Sequence, residues 1–149
     1  MESDYDVVIL GAGAAGLAAG LYTTRAMLRT IILEQLGPGG QLLVTDEIDN
    51  YPGFPEGIKG QELAMRMEQQ TTRFGAEIEY TEVVDVENIS GPVKTVKTDD
   101  RDFTTKAIII ATGGSHNKLG VSGEDALAGR GVSYCAVCDG NFFRGQDVV

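Results

Sequence analysis

Residues 5–16, YDVVILGAGAAG, decide how the chain is read. The apolar run 5–10 passes straight into a glycine turn, Gly11-Ala12-Gly13-Ala14-Ala15-Gly16, and residues 17–28 continue with a helical pattern. A second apolar run, Thr30-Ile31-Ile32-Leu33, stops at an acid, Glu34. Strand, glycine turn, helix and strand in that order form the dinucleotide-binding fingerprint of an α/β protein. Gly11 makes the tight turn, Gly13 lets the backbone approach a pyrophosphate, and Gly16 lets the helix pack close to the strand. Ala14 and Ala15 lie between them, where unpaired N–H groups and the positive end of the helix dipole favour an anion. Glu34 follows Gly16 by 18 residues, at the tip of the second strand, where a carboxylate can accept hydrogen bonds from a ribose diol.

The 149 residues suffice for one domain with a sizeable core. Twenty glycines, about twice the usual share, point to backbone-lined ligand loops as well as turns. A net charge of −10 argues against nucleic acid or an anionic membrane as the main partner. The uncharged stretch 7–24 is long enough to suggest a signal or membrane segment. Acids at 2, 4 and 6 precede it without any Lys or Arg, and four glycines interrupt it, so a cytoplasmic chain is expected. Two cysteines three positions apart are too few for a secreted disulfide scaffold.

Beyond Glu34, residues 35–40 (QLGPGG) form a flexible loop, and 45–57 (TDEIDNYPGFPEG) form a long irregular segment. Loops of that length in compact domains are functional or disordered, and Tyr51 and Phe54 favour order by giving the loop something to bury. Residues 60–74 carry a helix with Leu63, Met67, Gln70 and Phe74 on one face, closed by Gly75. Residues 76–80 and 83–86 alternate as strands, and 93–98 and 103–105 read as a hairpin across Asp99-Asp100-Arg101. Residues 107–110 (AIII) read as a separate, fully buried strand running into Ala111-Thr112-Gly113-Gly114, which repeats the strand-to-glycine theme of the opening. From Ser115 the composition turns polar, marking a linker or domain boundary.

Cys135-Ala136-Val137-Cys138 is a CxxC pair followed by Asp139. At the start of a helix, such spacing supports a reversible disulfide, because the dipole there favours thiolate. The same spacing serves a zinc half-site or two inert thiols. A structural zinc needs four ligands, and the chain adds one histidine, His116, and acids. Asp139 reads equally as a helix-start acid or as a proton donor to a leaving thiolate. His116 reads as a loop residue.

GAGAAG at 11–16, GGQL at 39–42, DNYPGF at 49–54, IIIATG at 108–113 and YCAVCDG at 134–140 together resemble the low-molecular-weight thioredoxin reductases. Related flavoproteins share the pattern: an alkyl hydroperoxide reductase component, ferredoxin-dependent variants and fungal dithiol oxidases. The resemblance implies a Rossmann-like, three-layer FAD-binding fold with a β-hairpin or meander insertion (residues 1–114). A linker and the start of a second, NADPH-binding domain would follow (115–149). It further implies that Gly11, Gly13 and Gly16 hold the FAD pyrophosphate, that Glu34 meets the adenosine ribose, and that Gly40, Gln41, Thr45 and Asn50 line the flavin side. Ala14, Ala15, Gln35 and Leu42 would bind the cofactor alongside them. Val83 would meet the adenine through its backbone, and Ala111, Thr112 and Gly113 would close over the cofactor. Electrons would pass from NADPH through FAD to the cysteine pair and on to thioredoxin or a similar small disulfide protein. Cys138 would face the isoalloxazine, Cys135 would attack the partner disulfide and Asp139 would be the acid. A homodimer is implied as well.

Two departures stand out. Ala14 replaces the proline frequent in GxGPAG, and the chain holds no second GxGxxG. In the family, an NADPH domain follows this point and a C-terminal segment returns to complete the FAD site. The expectation is therefore a partial molecule that is inactive alone. A ferredoxin-dependent or dithiol-oxidase relative, or a non-catalytic FAD-binding or dimerisation fragment, are the alternatives.

Overall fold

The computed structural model describes residues 2–128 and 131–149, apart from the side chains of Asp139, Asn141 and Phe142. The described residues fall into two compact units, one comprising the chain up to Glu47 with Ile58–Gly113, the other Ile48–Gly57 with Gly114–Val149.

The first unit is a mixed α/β layer structure. Its elements are β1 (Tyr5–Leu10), α1 (Ala14–Arg25), β2 (Thr30–Glu34), a 3-10 turn at Gly40–Val44 and the short strands β3 (Glu47–Ile48), whose Ile48 is counted with the second unit, and β4 (Ile58–Lys59). The two short strands bracket the irregular loop. Then come α2 (Gly60–Arg73), β5 (Glu77–Tyr80), β6 (Val83–Glu87), β7 (Lys94–Thr98) and β8 (Asp102–Ile110). Six strands form one sheet in the order β5-β2-β1-β8-β7-β6. The first four run parallel, with Val8 beside Ile31 on one side and Ile108 on the other. The last three form an antiparallel meander.

Alternation along β1 and β2 splits the core in two. Val7, Ile9 and Ile32 face one side and pack with Leu17 of α1 and, more loosely, Met67 of α2. Val8, Leu10, Ile31 and Leu33 face the other side, where Val96, Phe103, Val83 and Val86 of the meander strands cover them. Helices, parallel sheet and meander thus make three layers, because a strand buried on both faces must be apolar at every position.

Three local readings change. Helix α1 starts at Ala14 with Gly13 as its N-cap and ends at Arg25, short of Leu28. Met27 turns the chain out through a left-handed conformation (φ 60). The segments 103–105 and 107–110 are one nine-residue strand, β8, whose first half pairs with β7 and whose second half pairs with β1. Its end is not fully buried: Ile108 and Ile109 are half-covered and Ile110 is 75% exposed.

On α2 the buried positions are Gly60, Leu63, Ala64 and Thr71, while Gln70 and Phe74 are exposed. Phe74 instead lies under the guanidinium groups of Arg25 and Arg73. Thr71 is buried because its hydroxyl donates to the Leu17 carbonyl (2.9 Å) and its methyl meets Gly20, where α1 has no side chain. Thr71→Val keeps the shape and removes the donor. It is expected to lower unfolding free energy by about 1 kcal/mol, measured by urea denaturation.

In the second unit, Tyr51 and Phe54 pair with ring centroids 6.2 Å apart, so the irregular loop does bury aromatic surface against itself. The rest comprises α3 (Glu124–Leu127), α4 (Ala136–Asp139) and a 3-10 turn at Gly140–Phe143. Among the described residues, no helix is long and apolar enough to cross a membrane.

Candidate functional site

Parallel strands put their C-terminal ends on one edge, which in open α/β sheets is where ligands bind. Here that edge gathers the glycine turn after β1, Glu34 at the end of β2, and Ala111 to Gly113 after β8. The strand ends are stitched together: Gly11 N–H donates to the Leu33 carbonyl (2.8 Å) and Ala111 N–H to the Leu10 carbonyl (2.9 Å). Gly39 N–H donates to the Ala12 carbonyl (2.8 Å), and a bridge between Gly13 and Gly39 brings the loop after β2 alongside the glycine turn. Gly40, Gln41 and Leu42 follow in the 3-10 turn, and the Thr45 hydroxyl closes it by donating to the Gln41 carbonyl (3.0 Å). Val83 opens β6 just beyond β5, where Thr81 N–H donates to the Glu34 carbonyl (3.0 Å).

The fingerprint glycines separate by cause. Gly11 has φ +98°, and a Cβ there would lie 2.5 Å from the Ala111 carbonyl oxygen. A Cβ on Gly16 would lie 1.8 Å from the Gly11 carbonyl oxygen. Both positions are closed to side chains by the protein's own backbone. Gly13 differs. Its φ is −69°, open to any residue, and the nearest atom to an added Cβ is Gly40 Cα at 4.0 Å. Nothing in the protein excludes a side chain there, so the bare backbone at Gly13 suits close approach by a ligand. No side chain caps the N-terminus of α1 and its first turn holds no acid, which leaves that positive end available to phosphate oxygens. These features fit the pyrophosphate of a dinucleotide cofactor.

Glu34 does more than wait for a ribose. One carboxylate oxygen accepts from Ala12 N–H (2.7 Å), and the other from Leu36 N–H (3.0 Å) and Gly37 N–H (3.4 Å). Gln35 contributes a further backbone donor. Partial burial pushes the carboxyl up, but these N–H groups outweigh it and hold the carboxyl below its ordinary 4.5. Because the folded value is depressed, the stabilisation is present above pH 4.5 and is lost as pH falls through the lowered folded value. Urea denaturation across that acid range is expected to show a flatter loss of stability for Glu34→Gln than for the parent.

The second unit carries Asn50, exposed in the irregular loop, and the cysteine pair. Cys135 and Cys138 are joined as a disulfide, with Cα atoms 5.2 Å apart. Each sulfur is bonded to the other, so neither is free to ligate a metal. Cys135 is the N-cap of α4, and its Sγ accepts from Cys138 N–H (3.2 Å). Cys138 is the more exposed of the two. Asp139 closes α4, and its side chain lies outside the described residues. His116 stacks on Tyr134 with ring centroids 3.5 Å apart. The Tyr134 hydroxyl donates to Glu124 (2.7 Å). That hydrogen bond holds the Glu124 carboxyl low and, with burial, pushes the Tyr134 phenol up to about 12.

A family model described as pyridine nucleotide-disulphide oxidoreductase matches residues 5–147. The chain belongs to the pyridine nucleotide-disulphide oxidoreductase family. Among relatives, it is 48% identical over 149 residues to a thioredoxin reductase of Treponema pallidum, covering 100% of this chain and 48% of that protein. It is likewise 48% identical to a thioredoxin reductase of Bacillus subtilis, covering 99% of this chain and 46% of that protein. Among solved structures, thioredoxin reductase from Streptococcus pyogenes superposes with a TM-score of 0.87 at 48% identity, over 94% of this chain and 45% of that one. The chain thus spans about half the length of the curated relatives it matches.

For a pyridine nucleotide-disulphide oxidoreductase, three features of the strand-end edge had no place in the sequence reading: Ala12 as donor to Glu34, Gly39 against Gly13, and Gly60. A Cβ on Gly60 would meet the Leu42 and Thr45 carbonyl oxygens at 2.1 and 2.4 Å, so α2 packs directly under the 3-10 turn. The Gly39-Gly40 doublet was the available signal for the second of these. The Ala12 donor has no sequence signature, because any residue supplies a backbone N–H.

Proposed function

We propose that these residues form the N-terminal part of a thioredoxin reductase, a cytoplasmic, homodimeric flavoenzyme that reduces thioredoxin or a similar small disulfide protein with electrons from NADPH. The observation that carries this reading is the presence, in one chain, of a strand-end phosphate cradle and a Cys135–Cys138 disulfide at a helix start. The similarity to thioredoxin reductases over the whole chain supports it.

In this reading Gly11, Gly13, Ala14, Ala15 and Gly16 hold the pyrophosphate of FAD, with Glu34 and Gln35 at the ribose. Gly40, Gln41, Leu42, Thr45 and Asn50 line the flavin side, Val83 offers backbone to the adenine, and Ala111, Thr112 and Gly113 close over the cofactor. FAD, when bound, supplies the two-electron relay between a nicotinamide and a disulfide. The protein's own share is the exchange step. The Cys135 thiolate, stabilised by Cys138 N–H, attacks one sulfur of the partner disulfide. The partner's S–S bond breaks, a mixed disulfide forms, and Asp139 gives a proton to the departing partner thiolate. Cys138 then attacks Cys135 Sγ, re-forming the disulfide of this chain and releasing the second partner thiol.

The chain carries one glycine fingerprint. The 149 residues alone are therefore expected to bind FAD weakly and to show no NADPH-driven turnover. A pure 149-residue product that reduced thioredoxin with NADPH would overturn this assignment of the NADPH site to residues outside the chain.

A further inference from the structure

Tyr134 stands immediately before the reactive pair, and its contacts all lie within the second unit. Glu124 is 4% exposed, unusual for a carboxylate in a unit this small, and both of its oxygens are engaged. One accepts from Leu119 N–H (2.9 Å) and from the Tyr134 hydroxyl (2.7 Å). The other accepts from Gly120 N–H (2.6 Å). Beside this, Val132 N–H donates to the Leu127 carbonyl at the end of α3 (2.9 Å), and Cys135 N–H donates to the Ser133 hydroxyl (3.1 Å). The segment leading into Cys135 is therefore pinned to α3 at two points, one backbone and one side chain. The His116 ring lies on the Tyr134 ring and holds its plane.

A tyrosine that needed only to fill space would not require a buried anion to receive its hydroxyl. A buried carboxylate held by two backbone N–H groups is already fixed in place, so it makes a rigid anchor for a third donor. We propose that Glu124 and Tyr134, with His116 against the ring, form a latch that positions Cys135 for thiol–disulfide exchange. Tyr134 acts through the backbone it shares with Cys135, as a positioning residue that does not itself touch the reacting atoms. The proposal rests on the reading of Cys135–Cys138 as the exchanging pair.

The test uses a small thiol, so that neither cofactor nor protein partner enters. Glutathione thiolate attacks one sulfur of the Cys135–Cys138 disulfide, forming a mixed disulfide and releasing the other cysteine as thiolate, which takes a proton from solvent. The rate is followed by alkylation of the released thiol, and peptide mass spectrometry reads which sulfur was captured. Tyr134→Phe keeps the ring and the stack and removes only the hydroxyl. It is expected to lower the capture rate about tenfold, the scale of one hydrogen bond to a charged group, and to change the ratio of capture at Cys135 and Cys138. Tyr134→Phe is expected to stay folded, with a thermal midpoint lowered by a few degrees because Glu124 loses one donor.

Glu124→Gln with Tyr134→Phe should be no slower than Glu124→Gln alone, because the two act as one unit. If Glu124→Gln fails to fold, Tyr134→Phe decides the matter by itself. A capture rate within twofold of the parent and an unchanged capture ratio in Tyr134→Phe would overturn the latch. If glutathione finds no exchangeable disulfide in the parent, the exchanging pair itself is wrong, which is a separate outcome.

Discussion

Gly16→Ala is expected to unfold in urea at a midpoint well below the parent's. The added methyl would stand 1.8 Å from the Gly11 carbonyl oxygen and 3.0 Å from its carbon, with Ala111 Cβ at 3.5 Å. The first two are backbone atoms of a turn that is already committed to φ +98° and to a hydrogen bond from Gly11 N–H to Leu33. Relief requires α1 to lift from β1, which opens the core around Leu17 and Ile9. Replacing a helical glycine by alanine gains about 1 kcal/mol at most. Overpacking against backbone costs about 3 kcal/mol or more, so the loss wins. Gly13→Ala is the informative companion. Its φ of −69° suits alanine and its nearest neighbour is 4.0 Å away, so stability should stay within about 0.5 kcal/mol of the parent. If the turn holds a pyrophosphate, Gly13→Ala should nevertheless weaken FAD binding, measured by flavin fluorescence. Loss of binding without loss of stability separates a ligand role from a folding role.

Cys135→Ser is expected to abolish thioredoxin reduction by the protein as purified from its own cells, to on the order of 10⁴-fold below the parent or lower. Serine at 135 cannot form the mixed disulfide, and Cys138 has no partner to resolve. Cys138→Ser should behave differently. It leaves Cys135 as a thiol whose sulfur sits at the start of α4, and the mixed disulfide with the partner cannot be resolved. That variant should accumulate a covalent complex visible on a non-reducing gel, and Cys135→Ser should not. Equal trapping by both variants would contradict the assignment of Cys135 as the attacking sulfur.

What the sequence made legible was local. GAGAAG at 11–16 could be read because strand, glycine turn and helix follow one another directly, although only Gly16 answers to a near neighbour, Gly11, while Gly11 meets Ala111; Glu34 could be read because a strand has a countable length. The continuity of β8 was not legible. Lys106 interrupts the apolar pattern between Thr105 and Ala107, yet it is simply an exposed strand position whose amine pairs with Asp6 (2.6 Å). The buried face of α2 was misplaced for a related reason. Thr71 is polar and Phe74 is not, but the Thr71 hydroxyl finds the Leu17 carbonyl 54 residues away, and Phe74 finds two arginines at the surface. Glu34's hold on Ala12 and Glu124's hold on Tyr134 depend on contacts across 22 and 10 residues that no periodicity marks. The cysteine pair was legible as chemistry, while its attachment to α3 through Tyr134 was not.

In the proposed cycle a flavin held at the strand-end cradle exchanges electrons with Cys135 and Cys138. The decisive experiment is an anaerobic titration of the protein purified from its own cells, with NADPH added stepwise, flavin absorbance followed, and thiols alkylated at each step. Bound FAD is expected, and NADPH should produce two new alkylated thiols, mapped to Cys135 and Cys138. Flavin that bleaches while the Cys135–Cys138 disulfide stays intact, or protein that carries no flavin at all, would contradict that cycle.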